Sequence, residues 1–201
     1  MQDSHDDSVQ IVSTDVAWQG RLWSMREDQI LLPGATTSIC RQYLEHPGAV
    51  SILAMDDEGR VLLINQYRHP VKARLWEIPA GLLDHENEDY LDAAKRELRE
   101  EADLEASRWD LLVDAFFSPG CSSESARVFL ARELRECEKA FDRADEELGI
   151  VKEWVPLDRA VELILVGKIH NPSTVMGVLA ANAAKVNRFQ DLRPTNASWF
   201  R

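Results

Sequence analysis

Apolar and polar positions along this chain fall first into short alternating runs and then into longer helical ones. Ser8 to Val16, Arg21 to Leu32 and Thr36 to Glu45 contain stretches of β-branched and aromatic residues broken by turn chemistry such as Pro33-Gly34, which predicts a small antiparallel sheet. His46-Pro47-Gly48 then punctuates the chain before two apolar runs, Ala49 to Met55 and Val61 to Tyr67, separated by the hairpin-like Asp56-Asp57-Glu58-Gly59. Further strands are expected at Arg74 to Ile78, Leu111 to Phe117, Ala126 to Glu133 and Ile150 to Val155. Helices are expected from about Asp89 to Ala102, at Leu157 to Val166 and at Pro172 to Lys185, with a polar loop after Pro79-Ala80-Gly81. One helix lies between strands and two close the chain, so the pattern predicts an α/β or α+β sandwich. The expected division is an N-terminal β-sheet region at 1–47, a main domain at 48–190 and a C-terminal tail at 191–201.

Composition narrows the function classes. The 201 residues are 45% hydrophobic, enough to bury a substantial core. Lys and Arg total 23 against 35 Asp and Glu, and the net charge of -12 repels a nucleic-acid backbone. A small phosphorylated substrate remains compatible, because clustered carboxylates hold divalent cations that face phosphate oxygens. Cys40, Cys121 and Cys137 are widely spaced and show no CxxC pair, which suits a reducing cytoplasm. The N-terminus is polar and acidic, and no run approaches the roughly 18 apolar residues of a membrane span. The expectation is a cytoplasmic protein without a membrane or nucleic-acid partner. The five histidines lack HExxH or zinc spacing, so surface or packing roles are expected for them.

The helix at 89–102 carries the candidate chemistry. At about 100° per residue, Leu91, Ala94, Leu98 and Ala102 share an apolar sector, and Glu97, Glu100 and Glu101 fall together beside it. Glu97 with Glu100, and Glu97 with Glu101, are like-charged neighbours, each pair costing roughly 0.2–0.5 kcal/mol unless neutralised. Such a cluster suggests a cation, and oxygen donors at this spacing favour a hard one. A solvated acidic helix face near Arg96 and Arg99 is the competing explanation.

The surrounding residues decide between the two. Gly81, Glu88, Arg96-Glu97-Leu98 and Glu100-Glu101 resemble the Nudix box. Two departures stand out: Gly81 and Glu88 are one residue further apart than in the family pattern, and Asp103 stands where the box ends in Gly. The extra residue falls in the loop, and Asp tolerates the left-handed conformation that Gly usually supplies. The resemblance implies a Nudix α/β/α sandwich with a mixed β-sheet, preceded by the small antiparallel sheet. It further implies a magnesium-dependent pyrophosphohydrolase, manganese being the alternative ion, with ligands from Glu97, Glu100, Glu101 and the carbonyl of Ala80. Glu88 in similar proteins supports the loop or orients Arg96, a ligand role being the alternative and ranked below the other three glutamates.

Gln66-Tyr67-Arg68, Leu75-Trp76-Glu77-Ile78-Pro79-Ala80-Gly81, Ser118-Pro119-Gly120-Cys121-Ser122-Ser123-Glu124 and Trp18-Gln19-Gly20-Arg21-Leu22-Trp23 resemble the ADP-ribose pyrophosphatase subgroup, and the inserted box residue resembles its actinobacterial members. Those enzymes split ADP-ribose into AMP and ribose 5-phosphate and are homodimers. By this resemblance Trp23 stacks on adenine, with Trp18 the alternative and core packing the competing role. Arg68 is a candidate for the diphosphate or terminal ribose, against a structural ion pair. Glu124 is a candidate for the terminal ribose, and Glu77 is expected to serve the fold near the helix. A glutamate from a later loop acts as base in similar enzymes, so Glu147, and after it Glu146, are the catalytic candidates alongside Glu97 and Glu101. A solvated charge run is the other reading of that loop. Three alternatives remain: a different nucleoside diphosphate sugar as substrate, a Nudix-fold sensor of ADP-ribose-like ligands, and a structural protein without turnover.

Overall fold

The structure, a computed structural model, describes residues 1–85, 87–139, 141 and 149–201. The chain forms two compact units, one of 1–48, 116–125 and 198–201, the other of 49–115 and 126–197.

The first unit is built on an antiparallel meander of β1 (Gln10–Gln19), β2 (Ser24–Leu31) and β3 (Ile39–Glu45). Its first hairpin closes on Trp18 opposite Met25 and Gln19 opposite Ser24, with the Gly20 N–H donating to the Trp23 carbonyl at 2.9 Å. Gly20 is required there, because the Trp18 ring lies over it and a Cβ would sit 2.5 Å from Trp18 Cη2. Residues 116–125 join this unit through paired backbone bonds, Leu44 N–H to the Cys121 carbonyl and Ser123 N–H to the Leu44 carbonyl, both 2.9 Å. Strand β1 is exposed along its whole length, including Ile11, Val12, Val16 and Trp18.

The second unit is a mixed α/β layered structure. One sheet has the order β7-β4-β9-β8, formed by β4 (Ala49–Ala54), β7 (Ala80–Leu82), β8 (Leu104–Phe116) and β9 (Ser125–Glu136). The other has the order β10-β5-β6, formed by β5 (Arg60–Arg68), β6 (Ala73–Glu77) and β10 (Val151–Pro156). Strand β4 runs parallel to β9 and antiparallel to β7. Its near-continuous apolar sequence reflects burial on both faces. Val50 and Ile52 face a core shared with Ala94 and Leu98 of α1 (Tyr90–Ala102), while Leu53 faces one shared with Ala160 of α2 (Leu157–Leu165) and Val178 of α3 (Pro172–Lys185). Val128 and Phe129 of β9 divide between the two cores in the same way. Period-2 alternation thus places helices on both sides of the strands.

Two elements differ from the sequence expectation. The segment after Pro79 begins with a short strand, β7, because Ala80 and Gly81 pair with Ser51 and Val50. Strand β8 starts at Leu104 rather than Leu111, directly after the turn at Asp103, its buried Leu104 joining the core beneath α1. Among the described residues no helix is long and apolar enough to cross a membrane.

Candidate active site

Helix α1 is held at both ends by its own sequence. The Asp89 side chain accepts from the Leu91 N–H at 2.8 Å, an N-cap that satisfies an otherwise orphaned donor. Asp103 closes the helix in the left-handed region, φ 60° and ψ 34°, as the sequence suggested for the residue in the place of the box Gly. Between the caps, Ala93, Ala94, Leu98 and Ala102 are buried, and so are Glu97 and Glu101, only 8% and 4% exposed.

Those two carboxylates face the backbone of β7. The Ala80 N–H donates to Glu101 Oε2 at 2.8 Å, and the Glu97 carboxylate lies against Gly81, where a Cβ would meet it 2.5 Å from Oε2 and nearer still to Cδ. Gly81 is therefore needed for close approach, and its backbone is not in the left-handed region. Glu100 points instead toward Arg96, on a cleft of about 460 Å³ along the outer side of α1 lined also by Lys95, Arg99 and Phe141.

Arg96 resolves the like-charge clustering of the sequence. Its Nε and Nη2 donate to Glu88 at 3.0 and 2.9 Å, while Nη1 donates to Glu97 Oε1 at 2.5 Å and Glu100 Oε2 at 3.2 Å. The hydrogen bonds to Glu88, opposed by burial and joined by the charge of Glu97, hold Arg96 protonated well above its usual range. The same guanidinium holds the Glu88 carboxyl below its ordinary value. Glu88 thus holds Arg96 through two of its nitrogens.

Among the described residues no three Asp, Glu, His or Cys side chains converge into a metal cage. The physical reason is that Arg96 draws Glu97 and Glu100 to its own nitrogens and Glu101 turns to Ala80. The donor set nevertheless fits a hard divalent cation, which typically takes one or two carboxylates and keeps waters and phosphate oxygens for the rest of its shell. Two nearly buried carboxylates beside a backbone strand edge supply such a partial site.

The remaining candidates are distributed as follows. Arg68 pairs with Glu77 through Nη2 to Oε2 at 2.7 Å and Nε to Oε1 at 3.1 Å, and Glu77 is 1% exposed, so Arg68 neutralises a buried carboxylate whether or not it also meets a substrate. In the N-terminal unit, Trp23 is partly exposed and stacks on His46 with ring centroids 5.2 Å apart and planes at 19°. His46 is buried, its Nδ1 accepting from the Gly48 N–H at 3.0 Å, so its packing role shows the detail that spacing could not reveal. Trp18 is the more exposed of the two indoles, at 56%. Glu124 is partly buried in the 116–125 segment, and burial raises its carboxyl above the ordinary range. Glu146 and Glu147 lie outside the described residues. The sequence reading missed Lys152, which donates to the Ala102 carbonyl at 2.9 Å and to Asp103 Oδ2 at 2.7 Å. A lysine on a strand carried no signal of that placement.

Comparison with known proteins agrees with this arrangement. The family model described as the NUDIX domain matches residues 45–174. The chain is 41% identical to the ADP-ribose pyrophosphatase of Mycobacterium tuberculosis, over 97% of this chain and 92% of that protein. It is 32% identical to the methanol dehydrogenase activator of Bacillus methanolicus, over 83% and 89% of the two chains. A solved structure of an ADP compounds hydrolase superposes with a TM-score of 0.74 at 18% identity, covering 92% of this chain and 99% of that one, and shows the same fold.

Proposed function

The chain belongs to the Nudix hydrolase family, and on that footing we propose that it hydrolyses ADP-ribose to AMP and ribose 5-phosphate. The observation that carries the reading is the pair of nearly buried carboxylates, Glu97 and Glu101, set against Ala80 and Gly81 in a chain so similar to an ADP-ribose pyrophosphatase along its length.

Glu97, Glu100 and Glu101, with the Ala80 carbonyl, are the proposed holders of a divalent cation, magnesium by the hard-oxygen character of the donors. When bound, such an ion neutralises charge on the diphosphate and eases deprotonation of a water. Arg96 stays on Glu88 through two nitrogens and so remains close to the charge of the site without needing Glu97 or Glu100 as partners. Glu147, or failing it Glu146, takes the proton from water as its oxygen attacks phosphorus and the bridging oxygen leaves with the other phosphoryl group. Arg68, Trp23 and Glu124 are the proposed contacts for the diphosphate, the adenine and the terminal ribose. A homodimer is proposed from the exposed apolar residues along β1, and residues 1–47 are its proposed dimerisation region.

The test is a screen of nucleoside diphosphate derivatives with magnesium, products being resolved chromatographically. AMP and ribose 5-phosphate should form from ADP-ribose, and Glu97→Gln and Glu101→Gln should each lower turnover by more than about a hundredfold with the fold intact. Preference for a different nucleoside diphosphate sugar would overturn the substrate; binding without turnover would identify a sensor.

A further inference from the structure

We propose that His46 is a positioning residue for base recognition: it lies beneath Trp23 and fixes the plane of that indole, so that the opposite indole face is presented to adenine already oriented. This role deepens the reading of Trp23 as the adenine platform and rests on it.

The pairing follows from the register of the first unit. Strands β2 and β3 run antiparallel with Ser24 opposite Glu45, and one further step along that register sets Trp23 opposite His46. Side chains alternate across a strand, so Ser24 and Glu45, hydrogen-bonded to each other at 2.8 Å, take one face and Trp23 and His46 take the other. There the two rings stack, centroids 5.2 Å apart and planes at 19°. His46 is tied at three points: its N–H donates to Ser123 Oγ at 2.9 Å, its carbonyl accepts from Arg201 Nη2 at 3.3 Å, and Nδ1 accepts from the Gly48 N–H at 3.0 Å. The last bond fixes the tautomer, with the proton on Nε2. Trp23 is held by its backbone, whose carbonyl accepts from the Gly20 N–H at 2.9 Å, and by this ring contact.

Burial shows that the stack does more than fill a core. His46 is 6% exposed and Trp23 37%, so the polar ring lies inside and the large apolar one outside. Hydrophobicity alone favours the reverse order, since an indole gains more from leaving water than an imidazole does. Burying the imidazole is offset by its bond from Gly48, while an indole face stays in water. His46 covers one face of Trp23, so the exposed area of the indole belongs to the other face and the ring edge. That face suits a nucleobase, whose π surface stacks on an aromatic ring. An indole already held in plane loses less freedom when the base arrives, and the saving appears as affinity in the ground state and the transition state alike.

Two substitutions separate the ring of His46 from its nitrogen. His46→Asn keeps an acceptor near the place of Nδ1 and removes the ring; His46→Phe keeps a ring and removes the acceptor. With ADP-ribose and magnesium, His46→Asn should raise KM roughly threefold or more, the order of factor that ordering one side chain on binding costs, with kcat within about twofold of the parent. His46→Gln, likewise without a ring, is a second such variant and should match it. The inhibition constant of AMP should rise by the same factor and that of ribose 5-phosphate should not. His46→Phe should return KM most of the way to the parent's although it melts lower, because the Gly48 N–H loses its partner. In a Trp23→Ala background, His46→Asn should add nothing to KM. A parent KM in both His46→Asn and His46→Gln overturns the proposal, and so does a rise that persists in the Trp23→Ala background or that His46→Phe shares in full. Trp23→Ala judges the platform reading separately. If it raises KM by about fivefold while His46→Asn and His46→Gln are silent, the platform stands and the positioning role alone fails; if it leaves KM unchanged, the platform reading fails and takes the positioning role with it.

Discussion

Replacing Gly81 by alanine should disable the site while sparing the fold. A Cβ at this position would lie 2.5 Å from Glu97 Oε2 and closer to Oε1 and Cδ, so an ordinary contact of about 3.4 Å obliges the carboxylate to retreat by roughly 1 Å or more. Retreat is open to it, since the clash falls on the end of a flexible side chain and the backbone of Gly81 is compatible with alanine. The cost to stability should stay below about 1 kcal/mol, under about 4 °C in Tm for a chain of this length. The cost to function should be much larger, because a displacement of about 1 Å in a reacting constellation can lower the rate about a hundredfold. Magnesium titrations of ADP-ribose turnover should show a higher half-saturation and a kcat/KM lower by that order, alongside a nearly unchanged melt. Parent activity at the parent magnesium response would refute the assignment of Glu97 as a ligand held against Gly81.

Trp23→Ala should raise KM roughly fivefold or more with little change in kcat, because a base–aromatic stack contributes about 1–3 kcal/mol to ground and transition states alike; an unchanged KM moves the role to Trp18. Burial, joined by the charge of Arg201, holds His46 below its ordinary value, so the unfolded chain takes up a proton at a higher pH than the folded one. The associated stability is complete above the unfolded value of about 6.5 and is lost as pH falls through the folded value, so melting temperatures should decline below that pH and His46→Gln should flatten the decline. Light scattering should give twice the chain mass at assay concentration, and Val12→Asp with Val16→Asp on exposed β1 should yield monomers; a fully active parent monomer would refute the dimer.

The pattern of positions made the elements legible but not their partners. Buried runs such as Ala49 to Met55 announced strands because both faces meet core, and Asp89 announced a helix start because a short side-chain acceptor suits an N-cap. Strand β7 was hidden, since three residues containing a glycine make no periodic signal and pairing with Val50 and Ser51 is a tertiary event. The helix turn with Glu97, Glu100 and Glu101 was visible from spacing, yet spacing could not say that Arg96 bonds both Glu97 and Glu100 or that Glu101 faces Ala80. Arg68 illustrates the same limit, because its pairing with Glu77 depends on the register that sets β5 beside β6. Asp103 looked like a departure from a motif and is a junction, accepting hydrogen bonds from Cys137, Phe141 and Lys152.

Glu88 allows two accounts of one observable, and a double-mutant cycle separates them. As a ligand it would contribute directly to the cation; as the support of Arg96 it would act only through the guanidinium it holds by Nε and Nη2. The geometry favours support, since the remaining nitrogen, Nη1, already reaches Glu97 and Glu100, and releasing the other two leaves Arg96 to settle more firmly on those carboxylates in competition with magnesium. Glu88→Gln should therefore raise the magnesium half-saturation by roughly three- to tenfold, the size of coupling expected between neighbours in one ion-pair network. In an Arg96→Met background, which has no guanidinium to release, the same substitution should leave half-saturation unchanged. Melting curves of all four proteins check that each is folded. A penalty of equal size in both backgrounds would show that Glu88 meets the cation itself, and the supporting role would then be abandoned.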